Sequence, residues 1–385
     1  MNFRSLFIGV LFLSTLSNSY ADENQSIPSL QINGTVRFQY THNDYLNTSG
    51  NKIDFSDAVL WLNYQKGALS GHLDYRVYQA YDKIAGIHYP VNAWLAYEVK
   101  PEHEIKIGLQ PVPIGHSRYY SSAYNLTQMY RLGLEEINHW GLSYQYHPDD
   151  FNLSLAYFFA NAGSHTGKSQ NSSHYSSFVT SEPSFTEGTR LKENQSYAVK
   201  VDKTLQYELN QHQATTQLGA SYLYNDLTNL KNKADAHRQV WTVFQNTQVN
   251  RFNFNFTFGG QKIDNKDQDH PNFTTFGFFD GYFNVANKGH FLATEVNYTL
   301  PYSTKNWSEP KLYTTYSRYF KSDSDYDDSE RLIYGVYTKY KENFQFYLEN
   351  IQAKNDVGFG SVDGFAQGKN ASWNSMLFLS LGYYF

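Results

Sequence analysis

Trp373-Asn-Ser375-Met-Leu377-Phe-Leu379-Ser-Leu381-Gly-Tyr383-Tyr-Phe385 is the stretch that decides the fold. Leu377, Leu379, Leu381, Tyr383 and Phe385 recur at every second position. An extended chain therefore puts them on one face, with Asn374, Ser380 and Gly382 on the other. A strand that is greasy on one side, polar on the other and rich in aromatics at its end suits the wall of a membrane barrel, where the interfacial girdle is aromatic.

The same period runs upstream. Leu30, Ile32, Gly34, Val36, Phe38 and Tyr40 alternate with Gln31, Asn33, Thr35, Arg37 and Gln39. Phe252, Phe254, Phe256 and Phe258 make the clearest face, opposite Asn253, Asn255 and Thr257. Further alternating runs surround Leu60, Leu73, Leu95, Ile107, Leu142, Leu155, Val199, Tyr222, Val296, Tyr313, Tyr334 and Phe346. Together they predict an all-β, transmembrane antiparallel barrel of about sixteen strands, each of roughly 9–11 residues across the membrane. The register near 235–249 and 286–320 is ambiguous, so fourteen or eighteen strands stay open. Short connections near residues 67, 101, 149, 250 and 342 alternate with long polar ones at 42–51, 113–138, 162–193, 264–285, 321–330 and 354–371. Short periplasmic turns and long extracellular loops produce that rhythm. Lipid offers no partner to backbone N–H and C=O groups, so the first and last strands have to pair. A sheet of that size also encloses more space than wall side chains can fill.

Arg4 is the only charge in the first 21 residues, Leu6 to Leu13 is a short apolar core, and Ser19-Tyr20-Ala21 is a small-x-small cleavage pattern. Residues 1–21 read as a secretory signal peptide and 22–385 as one outer-membrane barrel domain. A spanning helix needs ~18 or more apolar residues, which this stretch lacks. The chain has a formal net charge of −5, and loss of Arg4 makes it −6. That mild acidity argues against a nucleic-acid partner. With no cysteine, disulfides and thiolate metal sites are excluded. Thirteen His without ligand spacing suggest no metal, and no cofactor is expected. With 34 Tyr, 28 Phe and 6 Trp, but a mean hydropathy of −0.59, the chain fits a wall greasy outside and wet inside.

Lys106-Ile-Gly108-Leu-Gln110-Pro-Val-Pro113-Ile-Gly115, then Gly133-Leu-Glu135-Glu136-Ile-Asn-His-Trp-Gly141, the run Leu153 to Asn161 and the terminal Leu-Gly-Tyr-Tyr-Phe385 resemble segments of the phosphate-selective porin O and P family. The likeness covers about residues 30–160 and the last strand; elsewhere only the strand rhythm is shared. It implies sixteen strands, a homotrimer and a long loop folded into the pore. The family's basic ladder is diluted here, because Asp74, Glu98, Glu104, Asp202 and Glu349 share the inner side with Arg37, Arg76, Lys106, Lys200, Arg331 and Lys339.

The reading is therefore an outer-membrane porin passing small hydrophilic solutes or ions, with outer-membrane lipid and lipopolysaccharide around it. The alternatives are a channel specific for phosphate or another anion, a sugar or an iron chelate, and, behind these, an outer-membrane hydrolase. Loop 113–138 is longer than a connection needs, which marks it as the candidate constriction. Arg118, Arg131, Glu135 and Glu136 supply both signs there, and Tyr120 and Tyr124 supply flat surfaces. Arg37, Arg76 and Lys106 are candidate pore cations, with Asp74 and Glu98 as candidate partners. His116-Ser117 would put a base beside a nucleophile, but neighbours on an extended chain point apart, so no catalytic residue is assigned.

Overall fold

The computed structural model describes residues 27–44, 50–183, 187–360, 363–369 and 372–385. The leader expected at 1–21 and part of loop 42–51 lie outside the described residues. In chain order the strands are β1 (Ser29–Asn43), β2 (Asn51–Lys66), β3 (Leu69–Ala80), β4 (Lys83–Lys100), β5 (His103–Pro111), β6 (Asn138–Tyr146), β7 (Phe151–Ala160), β8 (Phe178–Val179), β9 (Leu191–Leu209) and β10 (His212–Asn229). They continue as β11 (Asp235–Val249), β12 (Phe252–Asp264), β13 (Phe273–Phe278), β14 (Gly281–Ala286), β15 (Lys288–Thr299), β16 (Lys311–Lys321), β17 (Ser329–Tyr340), β18 (Phe344–Lys354) and β19 (Asn374–Tyr384).

Sixteen of these close into one antiparallel barrel, which settles the open strand count; β8, β13 and β14 form a separate small sheet within the long loops. β7 pairs directly with β9, and β12 with β15. The barrel closes between β1 and β19, from Thr35 opposite Tyr384 to Asn43 opposite Met376. Gly34 and Phe385 finish the seam by exchanging both backbone hydrogen bonds, at 3.0 and 3.1 Å. A side chain at Gly34 would strike the Phe385 ring, so glycine here leaves room for the terminal aromatic.

The two faces separate as the alternation predicts. Leu377, Leu379, Tyr383 and Phe385 are exposed on the outside, while Phe378 and Ser380 are buried inside. Phe252, Phe254 and Phe256 likewise point outward. Behind them Asn246, Asn253, Asn255, Asn297 and Glu295 form a hydrogen-bonded polar ladder in the lumen. No described helix is long and apolar enough to cross a membrane.

Turns at 67–68, 101–102, 147–150, 210–211, 250–251 and 341–343 gather at one end, with the longer 300–310 segment and both described chain ends. At the other end two connections are shorter than expected: Tyr81–Asp82 between β3 and β4, and 230–234 between β10 and β11. Tyr81 and Asp82 both adopt positive φ, 55° and 58°, as do Asn210 and Gln211, at 48° and 67°. Two left-handed central residues give the twist a two-residue hairpin needs, here without glycine.

Burying a charge in the belt tests this arrangement. Phe254→Lys should cost ~2–4 kcal/mol near the midplane. The inward Asn255→Lys should cost much less, both measured by urea unfolding in lipid vesicles. Equal costs would contradict the assignment of faces.

Candidate functional site

Loop 112–137 leaves β5, crosses the interior and returns to β6. Two glycines shape it. Gly115 (φ 53°) lies against the Tyr120 hydroxyl, and Gly133 (φ 63°) lies against the Ser177 carbonyl; a Cβ at either would overlap that neighbour. Gly133 follows a single helical turn, α1 (Gln128–Arg131), whose N-cap Thr127 accepts the Met129 amide.

The far wall pins the crossing. Ser122 donates its amide to Glu295 Oε2 at 2.5 Å and its hydroxyl to Oε1 at 2.8 Å. Glu349 accepts the amides of Tyr124 and Asn125 at 2.6 and 3.1 Å, and the Tyr313 hydroxyl at 2.6 Å. The Gln128 amide donates to Ser317 Oγ. Arg331 donates to the Leu126 carbonyl and Arg238 to that of Leu132, both at 2.6 Å. Glu295, Ser317 and Glu349 are buried residues in the middle of β15, β16 and β18, so the loop lies inside the barrel rather than over its mouth.

On one side the loop packs dry. Val112, Ile114, Tyr120, Met129, Leu132, Leu134 and Ile137 join Phe178, Phe276, Phe283 and Val285 of the small sheet and Leu223, Val240, Ile263, Phe291 and Tyr319 of the wall. On the other side lies a cavity of about 810 Å³, lined on the wall by Arg37, Asp57, Trp61, Arg76, Tyr78 and Tyr384 and on the loop by Ser121 to Leu126, Tyr130, Arg131 and Glu136. Phe278 and Phe279 line it toward the long-loop end. A second cavity, of about 540 Å³, shares Ser122 and Lys311 with the first and reaches the Asn250–Arg251 turn. The two together point along the barrel axis.

The candidate residues fall into three groups. Arg37, Arg76, Arg131, Glu136 and Tyr124 line the main cavity. Arg37 pairs with Asp57 at 2.6 Å rather than with Glu98, and lies over the Tyr124 ring. Arg76 holds Asp74 through two hydrogen bonds of 2.9 and 2.8 Å and reaches Glu136 at 3.6 Å. Arg118 and Lys106 line a smaller neighbouring space of about 200 Å³. Arg118 faces Asp74 and Glu136 at 3.7 and 3.5 Å, and Lys106 pairs with Glu104 over the Trp94 ring.

Four residues line neither space: Asp74, which is buried behind Arg76, and Glu98, Tyr120 and Glu135. Glu98 is exposed near the end of β4, opposite Glu104, at the short-turn mouth. Tyr120 is 1 % exposed in the dry core. Glu135 is also 1 % exposed and accepts the Tyr120 and Thr127 amides and the Thr127 hydroxyl, so it braces the loop from within.

Arg131 stands apart. Its guanidinium lies over the Tyr130 and Phe278 rings at 5.4 and 4.4 Å, and it has no carboxylate within 4.0 Å among the described residues. Burial, then the like charge of Arg331, pushes its pKa below the usual value. Arg331 is paired with Asp356 at 2.7 Å. Five cations line the main cavity (Arg37, Arg76, Arg131, Arg331 and Lys311) against two carboxylates, Asp57 and Glu136.

The long-loop mouth is tied down at Asp280, between β13 and β14. Its carboxylate accepts the Tyr81 hydroxyl at 2.5 Å, the Lys168 amide at 2.6 Å and the Ser173 hydroxyl, joining three loops. Phe279 beside it packs edge-on against Tyr78 and Tyr89. Burial acts to raise the Asp280 pKa, but the Ser173 and Tyr81 hydroxyls and the Lys168 and Ser169 amides outweigh it and hold it below the ordinary value.

No protein-family description and no curated protein sequence matches the chain. Solved structures do match it in shape. They include the outer membrane channel DcaP of Acinetobacter baumannii, with 11% identity over 94% of this chain and 99% of that one, at a TM-score of 0.61. The anion-selective porin of Comamonas acidovorans matches with 11% identity over 93% and 100%, at 0.56. The trimer form of OmpT, an outer membrane protein of Vibrio cholerae, matches with 14% identity over 93% and 99%, at 0.54. At such identities the likeness is one of fold.

Loop pinning predicts that Glu349→Ala, which strands the Tyr124 and Asn125 amides, will raise single-channel conductance and current noise. Unchanged traces would mean that Glu349 does not hold the loop. The Asp280 contribution is full above the ordinary carboxylate pKa of about 3.9 and is lost as pH falls through its lower folded value. Protection of the Lys168 and Ser169 amides against hydrogen exchange, taken relative to the intrinsic rate at each pH, should therefore hold from neutral pH down and fall only in acid; protection already lost at pH 5 would contradict this.

Proposed function

We propose that this barrel sits in a bacterial outer membrane as a homotrimeric porin, passing small hydrophilic solutes down their gradients with a preference for anions. The observation that carries the reading is Arg131: a guanidinium facing the main cavity without a carboxylate partner among the described residues, in a lining already richer in cations than acids. Opposed fixed charges in a narrow aqueous passage set which ions enter without any covalent step. The trimer rests on the porin-like segments of the sequence and the existence of a trimer form in a barrel of like shape.

A narrower reading, phosphate selectivity, draws support from one feature. The Nη2 atoms of Arg131 and Arg331 both lie 3.4 Å from the point a Cβ on Gly358 would occupy, so two guanidinium groups converge there, with the Asp356 carboxylate that pairs with Arg331 beside them at 3.3 Å. Arg is the side chain best suited to bidentate recognition of such oxyanions. Catalysis is not part of the proposal: Ser117 Oγ accepts from Lys200 Nζ at 3.2 Å, while the His116 ring packs on Tyr120 and Phe244.

Single-channel recording in a planar bilayer tests the anion preference and the phosphate reading. In a potassium chloride gradient the reversal potential should report anion preference, and Arg131→Ala should move it toward the cation side. A cation-selective parent channel would overturn the proposal. Block of chloride current by low phosphate, relieved in Arg131→Ala, would select the narrower reading. Peptide or phospholipid turnover lost in Ser117→Ala would establish catalysis.

A further inference from the structure

The outward face of β11, β12 and β15 carries a feature that conduction does not use. Tyr222, Trp241, Gly260, His290 and Phe320 lie in one row across five strands, set by the registers Tyr222 to Trp241, Trp241 to Gly260, Gly260 to His290 and His290 to Phe320. Trp241 is 41 % exposed. A Cβ at Gly260 would meet the Trp241 Nε1 atom at 2.8 Å, so the glycine lets the indole lie flat across the strand. Phe258 stacks on His290 just beneath. Trp241 and His290, whose rings lie 6.3 Å apart on the lipid side, are amphipathic rings of the kind an interfacial girdle uses.

One step toward the long-loop end, Lys262 and Lys288 are direct cross-strand partners, both exposed on the outer face. Like charges placed opposite each other weaken a sheet unless something neutralises them. The acid next along that face, Asp264, is taken by Lys266 at 2.7 Å. On the neighbouring strand β16 the outward Arg318 is paired with Asp328 at 2.6 Å. Neither Lys262 nor Lys288 has an ion pair among the described residues. Two unneutralised ammonium groups just above a girdle sit at headgroup depth, and phosphate is the anion a membrane presents there.

We propose that Lys262 and Lys288, above the Trp241 and His290 rings, bind the phosphate groups of an outer-leaflet lipid headgroup, namely the phosphorylated glucosamine of lipopolysaccharide. The ammonium groups hold the phosphates while the acyl chains run down the Phe254 and Phe256 wall. This assignment rests on the membrane orientation of the porin reading, which conductance tests separately.

The test uses the full chain, refolded in detergent and titrated with lipopolysaccharide, with bound lipid counted by native mass spectrometry. Lys262→Gln/Lys288→Gln should bind roughly tenfold more weakly or worse. Lys203→Gln, a charge removed near the short-turn end, should bind as the parent does. Normal conductance of each variant in a bilayer shows that the barrel is intact. Enzymatically dephosphorylated lipopolysaccharide should lose the affinity. The proposal fails if the double variant binds like the parent, if the dephosphorylated lipid binds equally, or if low millimolar inorganic phosphate displaces the lipid, since the pair would then be reading free phosphate.

Discussion

Hydrocarbon cannot hydrogen-bond a peptide group, and everything else in this molecule depends on that. An unpaired strand edge in the belt would leave a row of N–H and C=O groups without partners. The cost is avoided only when β1 meets β19, and the meeting is carried through to the reciprocal bonds of Gly34 and Phe385. Closure with sixteen strands also sets the bore. Because that bore is wider than wall side chains can fill, there is room for a loop to enter it.

Once inside, the loop obeys the rules of a soluble protein. Its backbone amides are placed on carboxylates of the opposite wall, Glu295 and Glu349, and its carbonyls on Arg331 and Arg238. Buried acids without such donors would be costly, and amides without such acceptors equally so. The apolar side of the loop meets Phe276 and Phe283 from a hairpin far along the chain. The interior is thus part dry core and part wet passage.

The wall was legible in the sequence because its alternation has a single physical cause, lipid on one face. Phe252 to Phe258 and Leu377 to Phe385 needed nothing more. Turns without glycine, such as Tyr81–Asp82, left no compositional mark and were missed. The cavity lining was legible only where it belonged to strands: Arg37 and Arg76 could be placed inward and Asp74 set beside Arg76, but Asp57 could not be named as the partner of Arg37. A bulge at Ser56 brings Asp57 opposite Arg37, while Glu98 lies on β4, which does not pair with β1, near the short-turn end. Within loop 113–138 the residue types were plain and their directions were not, so Tyr120 and Glu135 support the loop from behind while Arg131 and Glu136 face the water. Tyr175, Phe278 and Phe279 come from long loops without periodicity, and nothing local in their sequence announces that they reach the cavity.

The dry core bears on electrostatics as well as on shape. By occupying one flank of the bore it pushes the water against the β1 to β3 wall, between two surfaces of low polarisability. Counter-ions in a broad bore would gather around each guanidinium and mute it within about 8–10 Å at ordinary salt. Squeezed water has no space for that cloud, and the field of a fixed charge is funnelled along the passage instead. A handful of arginines can then set the potential inside a protein whose total charge is negative.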